Sequence, residues 1–298
     1  MAGSQALAPD PRNASILVSV NGRLVPRAEA TVSVFDAGFI AGDGVWEGLR
    51  LHRGKLLFID EHMARLEQGA RAIALDLGID RAGLVGRIEA LLAANAMHDG
   101  VHLRLMVTRG EKSSPSQDPA ATIGAATVVI VAEHKVPHPD LAKNGLVLAT
   151  ASSRATDPDQ FDMRLNSHSR LPLILALLEA RRAGADEALM LDRRGFIASC
   201  NATNFFHVAD GTVRTSDATC CFAGITRAKV LALCEAEGIR LAIGRFSTYD
   251  LAAADEAFVT GTFGGVTPVA AIDGRRLAVP GPMTQRLRAA YARLIDSV

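Results

Sequence analysis

Lysine is the scarce residue in this chain of 298. Its lysines are Lys55, Lys112, Lys135, Lys143 and Lys229, so the stretch from 144 to 228 has none. Aromatic residues are also few, at 5%, with one tryptophan. Four cysteines, Cys200, Cys220, Cys221 and Cys234, show no CxxC metal spacing, and no metal site is expected. The adjacent Cys220 and Cys221 do not suit a mutual bridge, so reduced thiols are expected. No apolar run is long enough to span a bilayer. The opening MAGSQALAPDPR lacks the basic start and apolar stretch of a leader peptide. Lys plus Arg and Asp plus Glu stand at 32 each, which leaves no electrostatic footprint for nucleic acid or an anionic membrane. These absences point to a cytoplasmic protein.

What is present is ordinary core material: 49% hydrophobic residues against 21% charged. The length suits two domains. SILVSVNGRLVPR reads as a hairpin turning at Asn21-Gly22. Thr31 to Asp36 alternates like a strand, and GVWEGLRLHRGKLLFI like two strands turning at Arg53-Gly54. Asp60 suits a helix N-cap, and Met63, Leu66, Ala70 and Ile73 follow at helical spacing. A second helix covers about Arg81 to Ala96, and two further strands complete an α+β half. The polar KVPHPDLAKNG reads as a linker. Beyond it, strands alternate with helices at Leu171–Arg182, Ile225–Glu237 and about Met283 to Ile295. The expected domains are therefore 1–134 (smaller, α+β) and 146–298 (larger, α/β), joined by a linker at 135–145.

Several motifs line up in one order. DAGFIAGDGVWEGLRLHRGKLLFIDEHMARL resembles the N-terminal signature of the fold type IV pyridoxal-phosphate enzymes. These are the class IV aminotransferases, which include branched-chain and D-amino-acid aminotransferases and aminodeoxychorismate lyase. AGADEALMLDRRGFIASCNATNFFHVADGTVRTS resembles their central segment, and FAGITR and FVTGTFGGVTPV their phosphate-binding segments. The resemblance runs from about Val32 to Ala271. It implies an α/β protein of D-amino-acid-aminotransferase-like fold, a cofactor-type pocket at the domain interface, an amino acid or keto acid substrate, and a homodimer. It also implies a phosphate site at Arg65, Gly224, Ile225, Thr226, Gly261 and Thr262. The chemistry agrees: a guanidinium fork suits phosphate, and a helix opening at glycine presents N–H groups and a positive dipole end. Read alone, Arg65 is a solvated helix residue and Gly224 a turn.

Two positions depart from the family. Where it has a lysine that holds the cofactor's aldehyde as an imine, this chain has Asn166, in RLNSHSRL. An amide nitrogen cannot form an imine, and no neighbouring lysine can replace it. Where the family has a glutamate for the pyridine nitrogen, this chain has Ser199. A hydroxyl cannot fix a charged ring nitrogen as a carboxylate can, though it can hydrogen-bond a neutral one. Two changes at the two ends of one ring read as divergence. Ordinary transamination is therefore expected to be weak or absent, and any pyridoxal or pyridoxamine phosphate to be held non-covalently. The other residues of interest are His168, a residue type that ordinarily titrates near neutral pH; Cys220 and Cys221, just before a helix; Arg104, for a carboxylate; and Trp46, as a pocket wall. Each also has a plain structural reading, as a helix-entry residue, a buried thiol, a strand-surface charge or a packed ring. Two other functions stay open: a cofactor-independent lyase or hydrolase using Cys220, Cys221 or His168, and a non-catalytic binder of phosphate-bearing ligands.

Overall fold

A computed structural model describes residues 9–298; the first eight residues, on which part of the leader reading falls, lie outside the described residues. The chain forms two compact units. One holds the described residues up to Val136 together with Leu165–Ser169, and the other holds Pro137–Arg164 and Arg170–Val298.

The N-terminal unit contains β1 (Leu17–Val20), β2 (Arg23–Pro26), α1 (Ala37–Ala41), β3 (Gly44–His52), β4 (Lys55–Leu56), α2 (Ile59–Ala72), α3 (Arg81–Ala94), β5 (Val101–Thr108) and β6 (Thr127–His134). Its six strands make one sheet in the order β2-β1-β6-β5-β3-β4. The turns read from sequence recur: Asn21 and Gly22 have φ of 52° and 84°, Arg53 and Gly54 48° and 80°. These are the left-handed pairs that match strand twist in a two-residue hairpin. Strand β5 alternates buried and half-buried residues along its whole length, so one sheet face is core and the other open. The core face carries Val45, Leu49, Leu103 and Leu105, which pack with Met63 and Leu66 of α2 and Leu84, Ile88 and Leu91 of α3. Helix α2 begins after Phe58, so Asp60 sits in its first turn instead of at the cap, still on the side favoured by the helix dipole. Thr31 to Asp36 is not a strand. The Asp36 side chain instead accepts from Gly38 N at 2.8 Å and caps α1.

The C-terminal unit contains α4 (Pro139–Asn144), β7 (Leu146–Thr150), α5 (Leu171–Arg182), β8 (Glu187–Leu191), β9 (Ile197–Cys200), β10 (Asn204–Ala209), β11 (Thr212–Ser216), α6 (Ile225–Ala236), β12 (Leu241–Gly244), α7 (Thr248–Leu251), β13 (Glu256–Gly261), β14 (Gly265–Ile272), β15 (Arg275–Arg276) and α8 (Pro282–Ser297). Its sheet runs β12-β11-β10-β13-β14-β7-β8-β9, with β15 paired to β14. Buried Leu146, Leu189, Phe205, Val259 and Val269 build its core. The stacked rings of Phe206 and Phe258 lie 4.8 Å apart between centroids. Part of the segment read as a linker is helix α4, entered through Pro139 and with Leu141 buried.

Candidate functional site

The N-terminal unit supplies the first group of site residues. Glu47 points from β3 to the core face, where a lone carboxylate would be costly. It is fully buried and is met by two partners from α2. Arg65 Nε donates to Glu47 Oε1 at 2.8 Å and Arg65 Nη2 to Oε2 at 2.6 Å, while His62 Nδ1 lies 2.7 Å from Oε2. Burial by itself raises the Glu47 carboxyl, but the hydrogen bonds from Arg65 and His62 outweigh it and hold its pKa below the ordinary value. Arg65 is therefore an oriented guanidinium, its fork set by Glu47. The sequence reading missed His62. Its signal was the i, i+3 spacing of His62 and Arg65 on the face of α2 that also carries Leu66. Asp43 is bound in the same manner: Arg109 Nε donates to its Oδ2 at 2.6 Å, and Arg109 also donates to the Ile73 and Ala74 carbonyls at the end of α2.

Asn166 belongs to the same unit. Leu165–Ser169 groups with the N-terminal unit although it lies far along the chain. Trp46 N donates to Asn166 O at 2.9 Å, Asn166 Nδ2 donates back to Trp46 O at 2.5 Å, and the Trp46 indole N–H donates to Ser167 O at 3.0 Å. Val45 and Ser167 form an antiparallel bridge, and His168 N donates to Gly44 O at 3.1 Å. The His168 ring packs onto Gly44, where a Cβ would lie 2.7 Å from its Cδ2. Arg104 leaves β5 on the open face, and its Cζ sits 3.4 Å from the Trp46 ring centroid. Burial lowers its pKa to about 10.

The C-terminal unit carries the remaining positions. Helix α6 opens at Gly224 with no side chain capping its first N–H groups. A Cβ at 224 would collide with Asn204 Oδ1, so the close approach requires glycine. Asn204 Nδ2 in turn donates to Phe222 O at 2.7 Å and ties β10 to the turn before the helix. Ile225 and Thr226 are buried in the first turn. Gly261 ends β13 opposite Gly265, and Thr262 lies in the turn that follows. Buried Arg227, which sequence reading also missed, donates from Nη2 to Ser216 O at 2.7 Å, while its Nε has no hydrogen-bond partner. Ser199 donates its hydroxyl to Thr203 O at 2.7 Å, which leaves lone pairs as its remaining capacity. It is thus set to accept a hydrogen bond, not to donate one to a neutral ring nitrogen as the sequence alone allows. Cys220 and Cys221 are buried. Burial, with the hydrogen bond to Asp157 Oδ1 at 2.9 Å, pushes the Cys220 thiol up to about 12. Burial raises Cys221 as well. Neither is the low-pKa thiolate that nucleophilic chemistry needs.

The donor set suits a phosphate at the start of α6, where uncapped N–H groups stand beside a glycine that cannot bear a side chain. It does not suit covalent attachment of an aldehyde at position 166, where an amide is engaged with Trp46 O. Among the described residues, no group of three or more His, Cys, Asp or Glu side chains could hold a metal ion, and no helix is long and apolar enough to cross a membrane.

The family model of amino-transferase class IV matches residues 44–272, and this chain belongs to that family. It is 40% identical over 290 residues to the branched-chain-amino-acid aminotransferase-like protein 2 of Arabidopsis thaliana, covering 97% of this chain and 52% of that protein. The chain thus spans about half the length of that curated relative. The structure is similar to the branched-chain aminotransferase of Thermoproteus uzoniensis, solved with norvaline, at a TM-score of 0.84 and 31% identity over 94% and 95% of the two chains. It is also similar to the branched-chain amino acid aminotransferase of Escherichia coli, at a TM-score of 0.85 and 25% identity over 94% of each chain. A further similar structure is a branched-chain amino acid aminotransferase solved with pyridoxamine 5'-phosphate, at 0.87 and 27% over 94% of each.

Proposed function

We propose that this chain is a branched-chain-aminotransferase-like protein that binds pyridoxal or pyridoxamine phosphate without a covalent tether and takes a small amino acid or keto acid by its carboxylate. The observation that carries the reading is the Asn166 amide donating to Trp46 O where the family has its lysine. On the family's pattern, Ile225, Thr226, Gly261 and Thr262 of the C-terminal unit are phosphate contacts, and Arg65 of the N-terminal unit matches the family's phosphate arginine. Glu47 and His62 keep the Arg65 fork oriented, and the N–H groups of α6 add fixed dipoles. When bound, the pyridoxal ring supplies an electron sink for bonds at an amino acid's α-carbon. Arg104, stacked on Trp46, orients the carboxylate, and Ser199 accepts a hydrogen bond at the ring nitrogen's end. With no lysine amine, His168 or a water is left to move a proton at the α-carbon. Ordinary transamination is consequently weak, by about 10²–10⁴-fold for the loss of a positioned base.

A homodimer is part of the same proposal. Leu171, Ile174, Leu175 and Leu178 form an exposed apolar stripe along α5, at the i, i+3, i+4, i+7 spacing that fits a packed helix face. Calorimetric titration with pyridoxamine phosphate, followed by assay on a panel of branched-chain and D-amino acids, tests the reading. Saturable binding with slow turnover supports it, and no binding removes it. Binding without any turnover across the panel would favour the non-catalytic binder.

A further inference from the structure

Asn166 does more in this fold than fail to be a lysine. Trp46 has three hydrogen-bonding groups, and each meets the segment 166–167. Its backbone N–H goes to Asn166 O, its carbonyl accepts from Asn166 Nδ2, and its indole N–H goes to Ser167 O. Along this part of β3 one edge pairs with β5, Trp46 standing opposite Met106, and 166–168 covers the other edge. Asn166 is 4% exposed, so these bonds are made away from competing water.

Trp46 in turn carries Arg104. Gly48 stands opposite Arg104 and Trp46 opposite Met106, which makes Trp46 and Arg104 diagonal neighbours on the open sheet face. Gly48 leaves room beside them: a Cβ there would reach only ordinary contact with the His102 and Trp46 rings. The guanidinium lies over the indole at 3.4 Å from its centroid and has no carboxylate partner among the described residues. A half-buried cation on an aromatic platform with no counter-ion among the described residues is suited to an anion, and the planar fork favours a carboxylate.

We infer that Asn166 is a positioning residue for a carboxylate receptor made of Trp46 and Arg104: its amide and carbonyl lock the Trp46 backbone, and so the indole on which the guanidinium is presented. The inference rests on the reading that the ligand is a small carboxylate. The exchange of lysine for asparagine then supplies a short planar donor that closes a pair with Trp46, which a long flexible ammonium would not do. Restoring lysine at 166 would remove the side-chain bond to Trp46 O, while leaving the two bonds to main-chain carbonyls, as it added the amine.

Trp46 is the only tryptophan in the sequence, so the protein's tryptophan emission reports this residue alone. The test titrates the full chain with 2-oxoglutarate, using sodium chloride at matched ionic strength as control. The wild type should give a saturable change in Trp46 emission, and Arg104→Gln should abolish it. Asn166→Ala should shift the emission to the red and weaken 2-oxoglutarate by about tenfold, the effect of one lost hydrogen bond. Should that variant not fold, exchange of the Asn166 side-chain amide protons in the wild type decides: strong protection supports the staple, and exchange at the free rate overturns it. Unchanged emission and affinity in a folded Asn166→Ala overturn the positioning role while the carboxylate reading stands. No saturable response in the wild type overturns both.

Discussion

Arg65 grips the Glu47 carboxylate with two hydrogen bonds, at 2.8 and 2.6 Å, beneath the sheet of the N-terminal unit. With His62 on the same carboxylate, the charge of Glu47 is matched inside the core. Removing one member of a buried pair costs about 3–5 kcal/mol, so Glu47→Gln should lower stability by that order in urea denaturation. The pH dependence has a definite sign. The folded Glu47 pKa is lowered, so its contribution is fully present above the unfolded carboxyl's value and is lost as pH falls through the folded one. Thermal melts from pH 7 down to 3 should show the gap between wild type and Glu47→Gln closing with acid. A gap independent of pH would contradict this.

Gly224 and Thr226 should respond differently. In Gly224→Ala the new methyl collides with Asn204 Oδ1, and overpacking of this kind costs about 1–3 kcal/mol, so both melting temperature and affinity for pyridoxamine phosphate should fall. Thr226→Val keeps the shape and removes one donor to a charged group. The fold should survive while affinity drops by about ten- to a hundredfold. Calorimetry on the two variants checks the contrast.

The thiols should be inert in the folded protein. Cys220 is raised to about 12 and Cys234 to about 11, with burial the main cause in each, and Cys200 and Cys221 are raised too. A thiol reagent at pH 8 should react with none of them until urea is added. A single fast-reacting cysteine at 220 or 221 would favour the cofactor-independent chemistry.

The stripe on α5 gives a further outcome. If a second copy covers Leu171, Ile174, Leu175 and Leu178, Leu175→Glu should loosen the dimer by about tenfold or more, since one buried leucine contributes roughly 1.5–3 kcal/mol. Sedimentation across a concentration series measures this. A wild-type monomer would contradict the dimer directly.

Features with local causes could be read before any fold was in hand. The hairpin at Asn21-Gly22 has its left-handed pair because asparagine and glycine tolerate positive φ, and at Arg53-Gly54 the glycine marks the turn while Arg53 also takes φ of 48°. Helix α5 occupies Leu171–Arg182 as its pattern predicts. Thr31 to Asp36 misled because its alternation carries strand propensity, while Asp36 is drawn to cap α1. The match of Glu47 with Arg65 and His62 was only half legible, since alternation places Glu47 on the core face without saying what neutralises it. The pairing of Asn166 with Trp46 spans 120 positions, and no local signal encodes it.

The most direct measurement compares the affinity of pyridoxal phosphate with that of pyridoxamine phosphate, which has no aldehyde, and then reduces the pyridoxal phosphate complex with borohydride for peptide mass analysis. The account predicts affinities within about tenfold of each other and no lysine carrying the cofactor stoichiometrically. Pyridoxal phosphate bound orders of magnitude more tightly, and fixed on one lysine after reduction, would contradict it.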